Sequence, residues 1–190
     1  MKRFSLFLLA VFILVTISAG TAVSKSYNLS RVAIDEGEVA GARAVVSFHL
    51  ASGSSPEMLE MIKSGIDVKF EYEVVVERVY RAWFNPTVGK MRIKKRIKYD
   101  PIQDEYSVTS SFNEKKVFYH DPLNASKAFF GYDGLVIPLE RSAKKGERFE
   151  ISVRARLDEV ELSDIFRHIP FVSSWFQVKT DWTHLKVNAR

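Results

Sequence analysis

The 190-residue chain contains no cysteine. Disulfides, thiolate metal sites and a thioether-linked lipid anchor are therefore excluded. Histidine is scarce: there are four, His49, His120, His168 and His184, and no two stand at the spacing of a zinc-ligand pair. Ser173-Ser174 lacks the glycine-flanked turn that exposes a nucleophilic serine. The acid of His120-Asp121 reads as a helix cap, and Glu159 with Glu161 is a spacing that any solvated strand carries. No catalytic, cofactor-binding or metal motif emerges, so the expectation is a protein that is not an enzyme. Low-complexity tracts and internal repeats are absent too. The most linker-like stretch, Ser52-Gly53-Ser54-Ser55-Pro56, leads into a helix rather than separating two domains.

What is present begins at the N-terminus. Lys2 and Arg3 precede an uncharged apolar run, Phe4 to Ile17, followed by the small residues Ser18-Ala19-Gly20-Thr21-Ala22. A basic start, a short hydrophobic segment and small residues at a cleavage point make a secretory signal, here residues 1–22. The alternative is an uncleaved inner-membrane anchor, because an uncharged stretch from Phe4 to Ser24 is long enough to span a bilayer. Either reading places the remainder, a single domain over residues 25–190, in the periplasm or otherwise outside the cytoplasm. The net charge of +5 falls to +3 once Lys2 and Arg3 are removed. That is too little to argue for nucleic acid.

Strand patterning dominates the rest. From Val68 to Phe84, Phe70, Tyr72, Val74, Val76 and Tyr80 alternate with Glu71, Glu73, Glu77 and Arg81, the period of a half-buried strand. Asn85-Pro86-Thr87 supplies a turn. Met91, Ile93, Ile97 and Tyr99 then alternate with Lys90, Arg92, Lys94, Arg96 and Lys98. Tyr106, Val108 and Phe112 extend the pattern. Phe149 to Leu157 repeat it, and Ala42 to Leu50 share it. Short helices are expected after Ser55-Pro56, after Asp121-Pro122 as far as Gly131, and at Ser163. The reading is mainly β: a single antiparallel β-sandwich with two or three short peripheral helices, preceded by the signal helix.

Five cations at every second residue of one strand repel one another unless something answers them. Folding the hairpin about Pro86-Thr87 is expected to set Glu77 opposite Arg96, and such cross-strand pairs contribute about 0.2–1 kcal/mol each. Arg92, Lys94, Arg96 and Lys98 are therefore candidate binding residues on a basic face, to be weighed against a merely solvated surface. The C-terminal aromatic stretch supplies three more, Phe171, Trp175 and Phe176, which otherwise close one end of the core.

The order of these features resembles the bacterial exported family called domain of unknown function 4390. The residues that carry the resemblance are Phe70-Glu71-Tyr72-Glu73-Val74, Glu77-Arg78, Trp83-Phe84 and Arg96-Ile97-Lys98-Tyr99-Asp100. Tyr106, Pro138-Leu139, Gly146, Val153 to Asp158 and Pro170 to Trp175 continue it. The resemblance implies export and one β-rich domain, and it brings no catalytic residue. Two functions follow as expectations. One is a non-enzymatic envelope module that binds a protein or the membrane surface. The other is a periplasmic carrier holding a small apolar ligand or lipid between its sheets.

Overall fold

The protein is described from a computed structural model, which covers residues 31–51, 56–80, 84–161 and 179–190. The signal segment, the turn expected at Ser163, and Phe171, Trp175 and Phe176 lie outside the described residues. No helix among the described residues is long and apolar enough to cross a membrane.

The fold is mainly β. In chain order its elements are β1 (Val32–Ala40), β2 (Arg43–Leu50), α1 (Pro56–Lys63), β3 (Asp67–Arg78), β4 (Thr87–Asp100), β5 (Glu105–Ser110), β6 (Lys116–Tyr119), α2 (Pro122–Phe130), β7 (Gly131–Pro138), β8 (Arg148–Glu161) and β9 (Thr183–Asn188). They form two antiparallel sheets. One has three strands in the order β1-β2-β7, and the other has six in the order β6-β5-β4-β3-β8-β9. β3 is thus an inner strand with a long partner on each side, which decides the character of its polar face.

The alternation read from the sequence survives as two faces. Phe70, Tyr72, Val74 and Val76 of β3, Ile93 and Ile97 of β4, and Phe149, Ile151, Val153 and Ala155 of β8 are buried on one side. Val39, Ala44, Val46, Phe48, Leu135 and Ile137 of the smaller sheet belong to the same hydrophobic cluster. The sheets approach closely where glycine leaves room. A Cβ on Gly37 of β1 would stand 2.7 Å from a Leu185 methyl of β9 and 3.1 Å from Ile151 of β8. A Cβ on Gly89 would stand 3.0 Å from the Pro138 carbonyl. There the segment after β7 crosses to the larger sheet, with Glu140 N donating to Val88 O at 2.8 Å.

Helix α2 is built as its sequence suggests. Asp121 accepts from Leu123 N and Asn124 N at the N-terminus, with Pro122 at the first helical position. Its inner face carries Phe129 and Phe130, each with its ring 5.7 Å from Phe70 and edge-on to it. Tyr72 Oη donates to the Phe129 carbonyl at 3.3 Å.

The structure corrects the hairpin. β3 ends at Arg78 and β4 begins at Thr87, so the strand expected to run to Phe84 is shorter and Tyr80 is exposed. Glu77 lies opposite Thr87, and Arg96 lies opposite Lys69. The cause is the connection: it spans the residues between Arg78 and Thr87 rather than a tight turn at Pro86-Thr87, which slides the register. Phe112 falls beyond β5 and is exposed.

Candidate binding site on the outer sheet face

The polar face of the six-stranded sheet is organised by its inner strand. Across β3, Glu73 is opposite Arg92 of β4 and Arg154 of β8, and Glu71 is opposite Lys94 and Arg156. Each acid therefore sits between two cations supplied by different hairpins. Glu73 Oε1 accepts from Lys90 Nζ at 2.8 Å and from Arg92 Nη2 at 3.3 Å. Its Oε2 accepts from Arg154 Nε at 2.9 Å and from Arg154 Nη2. Arg156 Nη2 reaches Glu71 at 3.1 Å. Arg96 grips Asp67 with two bonds, one of them Nε to Oδ1 at 2.8 Å. The expected partner of Arg96, Glu77, is displaced by the register described above.

The vertical arrangement matters as much as the pairing. The Glu73 side chain is only 8% exposed, whereas Lys90 is 50% and Arg92 58% exposed. The acids lie at the base and the cationic heads stand above them. The hydrogen bond from Lys90, helped by Arg154, holds the Glu73 carboxyl down to about 2 against the opposing effect of burial. It stays ionised and keeps the guanidinium groups in place.

Arg92, Lys94, Arg96 and Lys98 are thus brought together on one exposed face, as the alternation predicted. Sequence reasoning missed the other half of that face. Arg154 and Arg156 arrive from β8, some sixty residues later, and Lys179 bridges to Arg156. Trp182 packs against Arg154, with the guanidinium carbon 4.2 Å from the ring centre. Glu71, Glu73, Arg92, Arg154, Arg156 and Lys179 line a hollow of about 100 Å³.

A second feature was also missed. Lys95 points inward between Ile93 and Ile97 and is buried at 6% exposure. Its amine donates to the Ala128 carbonyl at 2.7 Å and to the Gly131 carbonyl, and it sits 4.5 Å above the Tyr132 ring. Those are carbonyls at the C-terminus of α2, so Lys95 caps the helix and answers its dipole. Burial pushes the amine down to about 8, with Asp133 opposing. Beside it opens a cleft of about 820 Å³ whose lining includes Phe48, Leu50, Tyr119, Phe130 and Tyr132. The signal available in the sequence was Lys95 itself, a cation at an inward-facing position of an otherwise apolar row.

Ser152, His184 and Glu150 meet on the same outer face. Ser152 Oγ is 2.8 Å and Glu150 Oε1 3.0 Å from His184, but both contact Nδ1. A nucleophile–base–acid relay needs the two ring nitrogens to serve different partners, so this trio is not arranged as one. Among the described residues, no three His, Asp or Glu side chains gather as metal ligands.

Two antiparallel sheets around one core, with a polar face knitted by buried acids and exposed cations, define a β-rich domain. The chain belongs to the family described as domain of unknown function (DUF4390), whose sequence pattern matches residues 26–186. No curated protein and no solved structure matches the chain.

Proposed function

We propose that this is an exported, non-enzymatic envelope module, a single β-sandwich domain that docks an acidic partner protein through the outer face of its six-stranded sheet. The observation that supports the reading is the burial of Glu71, Glu73 and Asp67 beneath exposed cations. Acids level with the cations would cancel them. Acids at the base instead fix the cations in place and leave the positive ends outermost. Ordering long side chains in advance lowers the entropy cost of binding, and a cationic face speeds encounter with an acidic one.

The test is an Arg92/Lys94/Lys98→Gln variant. All three side chains lie on the exposed face, so the fold is expected to persist, as judged by near-ultraviolet circular dichroism. Association with envelope extract should fall sharply, and wild-type association should weaken as rising salt shortens the screening length below its physiological value of about 8 Å. Equal association of variant and wild type at low salt would show that the face is only solvated.

The carrier reading has one observation in its favour, the cleft beside α2. The interior between the sheets is filled by Tyr72, Phe48, Phe70, Phe129 and Phe149, all fully buried, so a ligand would sit at the Lys95 end of the molecule. Saturable, displaceable binding of a fluorescent fatty acid would support it.

A further inference from the structure

The geometry points to the hollow between Arg92, Arg154, Arg156 and Lys179 as a site for one phosphate group. This inference rests on the basic face being a binding surface. It goes further by naming the chemistry that the face recognises at one point.

Charge comes first. Four cations and two carboxylates line the hollow, which leaves two positive charges (four minus two). A phosphate ester carries about −1.5 to −2 at neutral pH, so it matches, and a single carboxylate does not. Size allows it: a hollow of about 100 Å³ has room for a compact tetrahedral oxyanion.

Donors decide the rest. A guanidinium has five N–H groups. Arg92 spends Nε and one Nη2 hydrogen on Glu73 Oε1, and Arg154 spends the same pair on Oε2. Three N–H groups remain on each, without an acceptor among the described residues. Glu73 serves as a template: it holds two forks from opposite neighbouring strands at one point and takes up only their inner edges. Trp182 packs its ring against the Arg154 guanidinium and restricts its movement. Two arginine forks with donors to spare, held still in advance, favour phosphate oxygens over a spherical anion.

Inorganic phosphate is the probe, titrated into purified protein at constant ionic strength and followed by the Trp182 indole N–H in nitrogen-15 NMR spectra. A saturable shift is expected, with acetate at least tenfold weaker. Arg154→Gln should weaken phosphate binding at least tenfold. Lys179→Gln, an exposed position whose loss leaves the Glu73 cluster untouched, should weaken it at least threefold with unchanged thermal unfolding. Lys145→Gln, in a distant turn, should bind as wild type does.

Vesicles of phosphatidic acid in phosphatidylcholine distinguish the source. If they co-sediment wild type but not Lys179→Gln, the phosphate belongs to a lipid headgroup. If they do not co-sediment wild type although free phosphate binds, it belongs to a soluble ester. Absence of a saturable shift, acetate binding as well as phosphate, or an unaffected Lys179→Gln variant would each overturn the site. Failure here is distinguishable from failure of the docking reading. Salt-sensitive association lost in the glutamine variant, with no phosphate binding, retires the site alone. Phosphate binding with undiminished association of that variant retires the docking surface alone.

Discussion

Glu73 receives Lys90, Arg92 and Arg154 at once, and its titration should be visible in the stability of the whole chain. Its carboxyl is held at about 2 when folded, against an ordinary 4.5. Between those values the unfolded chain binds the extra proton, so stability rises with pH there. The contribution is complete above about 4.5 and is lost as pH falls through about 2. Denaturant midpoints measured from pH 6 to pH 2 should therefore fall more steeply in wild type than in Glu73→Gln. Parallel curves would show that Glu73 is not coupled to folding. Lys95 gives the opposite limb. Its amine titrates at about 8 in the fold against an ordinary 10.5, so its contribution to stability grows as pH climbs from about 8 to about 10.5. Lys95→Met should flatten that alkaline rise, and an unchanged rise would place its cause elsewhere. Both residues were partly legible in the sequence. Alternation placed Glu73 on the polar face, but its burial depends on β8, which no local pattern ties to β3. Lys95 was legible from parity alone, as a cation in an inward row.

At the scale of the element, the faces of β3 and β4 could be read from period two, and their register could not. Register follows from where the connecting segment turns, and Asn85-Pro86-Thr87 offered a tight turn that the chain does not use. The sequence-based pair Glu77–Arg96 and the observed pair Asp67–Arg96 make different claims. A double-mutant cycle on Asp67 and Arg96 should show coupling of about 0.5 kcal/mol or more, because the two side chains are in contact. The cycle on Glu77 and Arg96 should show none. Val76→Asp should cost several kcal/mol by burying an unpaired charge, while Glu77→Ala should cost less than about 1 kcal/mol. Equal losses in chemical denaturation would contradict the assignment of faces. β1, β6, β7 and β9 were not anticipated. β6 has only four residues, Lys116–Tyr119, too few for alternation to show. β1 is interrupted by a register shift between Ile34 and Glu36, which breaks its period.

For the whole molecule, the sequence carried the compartment expectation, the β class and the basic row, and it understated the row's environment. What it could not carry is the meeting of three strands from two hairpins: acids from β3, one set of cations from β4 and a second from β8. That meeting turns an apparently self-cancelling strip into a layered face, anionic below and cationic above. The central claim is that this face, and not the opposite sheet, is where the protein meets its partner. The most direct measurement is site-specific photocrosslinking in intact cells. One probe replaces Lys98, on the exposed basic face of β4, and another replaces Val136, exposed on β7 of the other sheet. Discrete adducts from position 98, diminished when cells are osmotically shocked and equilibrated in high salt before irradiation, with none from position 136, are the predicted result. Adducts from position 136 alone, or equal and salt-insensitive adducts from both, would contradict it.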